Sequence, residues 1–131
     1  MNVIIVDTSA WISYFKNAPP KNISNGDLDL ALKESRVYLP PLVAAELLSS
    51  NLNSLKRTSL MDFLLELQLC TCNLEHWMRV GELRAELSKQ GLHVSTPDAH
   101  IAQCTIDVSG YLLTEDKIFN KIANIKTIKL L

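Results

Sequence analysis

The sequence predicts an α/β fold, a three-layer α/β/α sandwich around a small, mainly parallel sheet. Three observations predict it. Short apolar runs alternate with segments of helical spacing, as in a parallel sheet whose strands are joined by helices. Those runs lack a polar alternation, as strands buried on both faces do. The chain has 131 residues, the length of one ordinary domain, with no repeat and no linker. Residues 1–131 therefore read as a single domain.

The elements follow in order. Val3 to Val6 is a β-branched run that ends at Asp7. Thr8 or Ser9 suits the cap of a helix carrying Trp11, Ile12 and Phe15. Residues 16–25 contain Pro19-Pro20 and read as a loop. Leu28, Ala31 and Leu32 share one face of a helix over 27–35. Residues 37–39 form a second strand. Pro40-Pro41 opens a helix over 42–50, since proline is tolerated in a first turn. The Ser/Asn-rich stretch 49–54 marks a turn. A helix over 58–67 and a strand over 69–72 come next. Residues 74–90 form the longest helix, closed by Gly91 just past its end. Thr96-Pro97-Asp98 is a helix start, with a capping residue, an early proline and a first-turn acid. That helix carries Ile101, Ala102 and Thr105. A strand over 111–114, a short helix over 117–122 and a last strand over 127–130 complete the chain.

Composition narrows the function. The hydrophobic share is 47% and the charged share 21%, both near the globular average. Thirteen Lys+Arg against fourteen Asp+Glu give a net charge of −1, which is no basic nucleic-acid signature. Any RNA binding must rest on local patches, a metal or a partner subunit. No apolar run is long enough to span a membrane. The start, Met-Asn-Val-Ile-Ile-Val-Asp, has no basic leader and reads as the first core strand of a cytoplasmic protein. Cys70, Cys72 and Cys104 are odd in number, and a zinc site needs about four ligands. They read as reduced core thiols.

Most acids have ordinary places. Glu75, Glu82 and Glu86 share the polar side of the long helix, and Asp107 reads as a turn acid. Four do not. Asp7 ends an apolar strand, and ligands of open parallel sheets sit just beyond such ends. Glu46 has Leu42 and Val43 as its helical neighbours, where an unpaired carboxylate is costly. Ser49, Ser50 and Asn53 extend a polar stripe on the same side. Asp98 sits in a first helical turn, where the dipole favours an acid. Asp116 follows the apolar run 111–114. In a parallel sheet these positions can share one edge. Clustered carboxylates raise one another's pKa unless a cation is present, and Mg²⁺ or Mn²⁺, one or two ions, suits an all-oxygen site.

Four segments carry a resemblance: Val6-Asp7-Thr8-Ser9, Pro41-Leu42-Val43-Ala44-Ala45-Glu46-Leu47, Thr96-Pro97-Asp98-Ala99-His100-Ile101-Ala102 and Leu113-Thr114-Glu115-Asp116-Lys117-Ile118-Phe119. Each is weak alone; the four in order, over nearly the whole chain, are specific. The sequence resembles the PIN-domain nucleases, most of all the small toxins of VapBC-type toxin–antitoxin pairs. The resemblance implies a PIN-like fold and a metal-dependent endoribonuclease cleaving single-stranded or structured RNA. It implies Asp7, Glu46, Asp98 and Asp116 as the acidic cluster. It also implies a homodimer, and an antitoxin partner that blocks the site. His100 departs from the pattern, where members often carry an apolar residue. It lies about 200° round the helix from Asp98 and reads as a packing or interface residue.

The expected reaction is hydrolysis of an RNA phosphodiester by a water whose pKa the ion lowers. Asp7 and Asp98 are expected to be direct ligands, with Thr8, Ser9 and Thr114 orienting the acids. Arg84 falls between Trp77 and Val80 on the apolar side of its helix, a candidate to reach a phosphate. Lys16, Lys21, Lys117 and Lys121 are candidates to line an RNA path. Trp11 and Phe15 read as core or dimer contacts. The alternatives are a non-toxin PIN-fold RNA-processing nuclease and a catalytically silent binding module. A phosphoacceptor receiver domain would need a second acid beside Asp7, where Thr8 stands. A haloacid-dehalogenase-type phosphatase would need one at Ser9.

Overall fold

The computed structural model describes residues 2–17 and 25–131. The strands are β1 (Ile4–Val6), β2 (Val37–Leu39), β3 (Gln68–Leu69), β4 (Tyr111–Leu113) and β5 (Lys129–Leu130). They form one sheet in the order β3-β2-β1-β4-β5, and every pairing is parallel. Among the described residues, seven helices connect them: α1 (Thr8–Phe15), α2 (Asn25–Lys33), α3 (Pro41–Leu48), α4 (Ser54–Leu65), α5 (Leu74–Lys89), α6 (Thr96–Asp107) and α7 (Ile118–Ala123). The α/β sandwich expected from the alternating pattern is the fold observed.

β1 is the central strand, and Ile4, Ile5 and Val6 are all buried. That explains why the run shows no polar alternation. From β1 the chain builds outward to β2 and β3, then returns to place β4 on the other side of β1. The build direction reverses between β1 and β4. At such a switch point the connections part to opposite faces of the sheet and leave a crevice at the carboxyl ends of the strands. Leu113 sits in register with Val6, so the residues that follow both strands emerge side by side.

Packing fixes this register. Ile5, Val6, Leu112 and Leu113 are fully buried, each contributing roughly 1.5–3 kcal/mol of burial. Gly110 precedes β4, and a Cβ there would lie 2.9 Å from the Val3 carbonyl oxygen and 3.1 Å from Val108 Cγ2. Only glycine lets the two backbones approach so closely.

The element boundaries shift for local reasons. α4 starts at Ser54, not at residue 58, because the Asn53 side chain accepts from Lys56 N–H at 2.9 Å. The strand expected over 69–72 is only Gln68–Leu69; Cys70 N–H still reaches the Leu39 carbonyl, but Asn73 then caps α5. The cap of α6 is Ser95, not Thr96. Gly91 takes φ 83° just past α5, as expected. Most of the loop expected over 16–25, with Pro19-Pro20 and Lys21, lies outside the described residues. Among the described residues, no helix is long and apolar enough to cross a membrane.

Candidate active site

Asp7 stands one residue beyond β1 and is buried, at 5% exposure. Its carboxylate caps α1, with Oδ1 accepting from Thr8 N–H at 2.8 Å. Oδ2 accepts from Thr114 Oγ1 at 2.8 Å and from Ser9 Oγ at 3.1 Å. Thr114 follows β4, so this carboxylate joins the ends of the two strands that flank the switch point. The same hydroxyls continue the network. Thr114 Oγ1 accepts from Asp116 N–H at 3.0 Å, and Ser9 Oγ accepts from Glu115 N–H at 3.0 Å. Glu115 takes a further bond from Ser13 Oγ at 2.8 Å.

Burial holds the Asp7 carboxyl above its usual 3.8. The bonds from Thr114, Thr8 and Ser9 pull it back down, and the charge of Asp116 adds to the rise. Asp98 lies half-buried in the first turn of α6, where its N–H donates to Ser95 Oγ at 3.2 Å. Burial raises it too; Ser95 opposes the shift, and the charges of Asp116 and then Asp7 reinforce it. Asp7, Asp98 and Asp116 therefore share one electrostatic neighbourhood.

Asp116 is exposed, and its Oδ1 accepts from Ile118 N–H at 3.0 Å at the start of α7. Glu46 is reached by Thr8 Oγ1, which donates to its Oε1 at 2.9 Å. Glu46 itself corrects the sequence reading. It is exposed, not desolvated among apolar neighbours, because the buried stripe of this short helix is Val43 and Leu47. The polar stripe beyond it dissolves into local bonds: Ser49 to the Ala45 carbonyl, Ser50 to the Leu47 carbonyl, Asn53 as a cap. Glu46 is tied to the site by its bond to Thr8, not by burial.

The four acids thus line one edge, and no ion pair among the described residues reaches them. Carboxylate and hydroxyl oxygens are the donors on offer, which suits Mg²⁺ or Mn²⁺. They do not, however, gather into a tight ligand group. Among the described residues, the one group of potential ligands whose donor atoms all lie within 4.8 Å of one another is Cys72, His76, His100 and Cys104.

The family model for the PIN domain matches residues 4–125. The chain belongs to the PIN domain family. Among solved structures it is similar to the DNA-bound VapBC from Salmonella typhimurium, with a TM-score of 0.79 and 22% identity, covering 100% of this chain and 98% of that one. It is similar to VapBC2 from Rickettsia felis, bound to a DNA fragment from their promoter (TM-score 0.77, 23% identity, 98% and 97% covered). FitAcB from Neisseria gonorrhoeae aligns at a TM-score of 0.64 and 19% identity over 98% and 96% of the two chains. No curated protein matches. At these identities the structural likeness establishes the fold.

In this PIN domain the remaining candidates divide. Thr8, Ser9 and Thr114 all bond to site acids. Arg84 is exposed, not on the apolar side of α5, and its Nε donates to the Val94 carbonyl at 2.8 Å. It braces the segment that leads into α6. Trp11 is buried; Phe15 stacks on it at 5.6 Å and stays 44% exposed. Lys16, Lys117 and Lys121 are exposed.

His100 is buried and stacks on Trp77 with ring centroids 4.7 Å apart, as a packing residue should. It also bonds His76, from Nδ1 to Nε2 at 2.8 Å. Burial, and then the neighbouring His76, push His100 down to about 4, so its ring is neutral at pH 7. Asp107 is no bland turn acid. It receives Arg79 at 2.9 Å and Gln103 at 2.8 Å, and it touches His76 Nδ1 at 3.2 Å. Neither core thiols nor a packing histidine, as the sequence suggests them, would join these groups. The signal was there in two four-residue spacings, Cys72 to His76 and His100 to Cys104.

Proposed function

We propose that this PIN domain is a metal-dependent endoribonuclease of single-stranded or structured RNA, and the toxin of a type II toxin–antitoxin pair. One observation carries the reading. Asp7 is a buried carboxylate at the switch-point crevice, held by three donors and close to the charges of Asp98 and Asp116. Membership of the PIN domain family supports a hydrolase acting on nucleic acids.

Asp7, Asp98, Glu46 and Asp116 would hold one or two Mg²⁺ or Mn²⁺ ions. Such an ion neutralises phosphate charge and lowers the pKa of an attacking water. The chain's own residues supply order. Thr114 and Ser9 fix Oδ2 of Asp7, and Thr8 N–H fixes Oδ1, so this acid keeps one orientation. Thr8 steers Glu46 through its Oε1. Among the described residues only Oε1 of Glu46 and Oδ1 of Asp116 are engaged, so the second oxygen of either acid would be the one to take a proton from the attacking water. Arg84, Lys16, Lys117 and Lys121 are the exposed cations proposed to meet RNA phosphates.

Exposed apolar residues support protein partners. Leu55, Leu65 and Leu69 are 78%, 82% and 63% exposed, and Leu65 and Leu69 border a groove of about 300 Å³ between α3 and α4. Such a patch suits an antitoxin segment. Ile12 and Phe15 of α1 suit a homodimer contact. Similarity to the VapBC family of toxin–antitoxin systems supports the antitoxin partner, and a cytoplasmic, single-domain toxin fits the same picture.

The test is cleavage of total RNA by the purified chain with Mg²⁺ or Mn²⁺, with EDTA, and by Asp7→Asn. Cleavage lost in EDTA and in the variant supports the reading; cleavage that survives both overturns it. Growth arrest on expression, absent for Asp7→Asn, supports the toxin role. Cleavage without arrest favours an RNA-processing nuclease, and no cleavage a silent binding module.

A further inference from the structure

The sequence pairs a cysteine and a histidine four residues apart twice, Cys72 with His76 and His100 with Cys104. On a helix, residues four apart share a face. His100 and Cys104 are both in α6, on the face turned to α5. His76 is in the first turn of α5, and Cys72 lies just before its cap. Packing of the two helices therefore brings both pairs together.

We propose that Cys72, His76, His100 and Cys104 form a closed tetrahedral site for one zinc ion, separate from the carboxylates. Three features support it. The four donor atoms lie within 4.8 Å of one another. His76 Nε2 and His100 Nδ1 are 2.8 Å apart, and Cys104 Sγ is 3.9 Å from either nitrogen of His100. Zn–N bonds of about 2.0–2.1 Å and Zn–S bonds of about 2.3 Å set tetrahedral donors roughly 3.3–3.8 Å apart. The cluster is already near that size and needs only a small parting of the two imidazoles.

The second feature is the ligand chemistry. Two thiols and two imidazoles with no oxygen donor select zinc over Mg²⁺ or Mn²⁺. Four protein ligands leave no open position, which makes the site structural. The third is the outer support. The Asp107 carboxylate touches His76 Nδ1 at 3.2 Å, leaving Nε2 to face the cluster. A carboxylate behind a histidine is the usual companion of a zinc ligand. Arg79 and Gln103 hold Asp107 in place. Leu42 N–H approaches His100 Nε2 at 3.5 Å, a loose contact that is given up when Nδ1 takes the ion and Nε2 the proton.

Placement gives the site a purpose. α6 presents Asp98 at its start and His100 and Cys104 on another face. A zinc ion here would lock α6 to α5 and to the segment after β3, and so hold Asp98 at the acidic edge.

The test uses the full chain, freed of metal under reducing conditions and titrated with Zn²⁺ and Co²⁺. One equivalent of zinc is expected, with a cobalt spectrum showing tetrahedral d–d bands and thiolate-to-cobalt charge transfer. Asp7→Asn should keep both signals, since the carboxylates take no part. Cys72→Ser, at a half-buried position, should lose the charge-transfer intensity of one thiolate and bind zinc less than stoichiometrically. Asp107→Asn should weaken zinc about 10–100-fold with the ligands intact. An octahedral cobalt spectrum without thiolate bands in the wild-type chain would overturn the proposal, whatever the variants do. Full stoichiometry in Cys72→Ser would overturn the ligand set.

Discussion

At the scale of single residues, Asp7 combines two demands that pull apart. Its carboxyl is raised by burial above 3.8, so its charge costs the fold stability. A folded-state pKa above the unfolded one means the folded protein binds the proton more tightly. The penalty is absent below 3.8 and full once pH passes the raised folded value. Asp7→Asn should therefore cut RNA cleavage by more than about 100-fold, beyond the usual 10–100-fold cost of an outer-shell loss. Its melting temperature at pH 7 should equal or exceed the wild type's, and the difference should shrink on acidification. Thermal melts between pH 4 and 7 check this, and a variant less stable at pH 7 would contradict it. Thr114→Val removes one donor to Oδ2 and the acceptor of Asp116 N–H. It should cost about 1 kcal/mol and about 10–100-fold in rate, read by denaturant melts and cleavage assays.

At the scale of elements, the site depends on how closely β4 approaches β1. The Gly110→Ala methyl group would meet the Val3 carbonyl at 2.9 Å, just where Tyr111 N–H begins the ladder to the same oxygen. Overpacking of this kind costs about 1–3 kcal/mol. The melting temperature should fall by about 3–10 °C, and cleavage should fall with it as Thr114 moves from Asp7. The central strand was legible because a strand buried on both faces writes its burial into every residue. β3 and β5 were legible as strands over 69–72 and 127–130 but not in their extent, Gln68–Leu69 and Lys129–Leu130, since the length of an edge strand is set by its neighbour and not by its own pattern. Asp7 and Asp116 could be placed because a strand's end is a position in sequence. The exposure of Glu46 could not, because eight residues of nearly all-apolar α3 do not say which stripe faces inward. The Cys and His pairs escaped for a related reason: each belongs to a different element, and only the packing of α5 on α6 reveals that they face each other.

At the scale of the whole molecule, a net charge of −1 gives no long-range attraction for a polyanion. Binding of single-stranded RNA should rest on few phosphate contacts. Four cations, Arg84, Lys16, Lys117 and Lys121, at about 0.7 released counterions each give a log–log salt slope no steeper than about −3. Fluorescence anisotropy on the non-cleaving Asp7→Asn variant, across salt concentrations, measures it; a much steeper slope would mean a larger basic surface than these residues provide. The bond from Thr114 to Asp7 has one more consequence. It joins positions 107 residues apart, so the pocket closes only when Thr114 can reach Asp7. During synthesis β1 leaves the ribosome long before β4 and Asp116 exist outside it. On the proposed function, an enzyme that cuts RNA would be made on RNA, and this topology would keep the nascent chain inert until the segment carrying Thr114 and Asp116 has emerged.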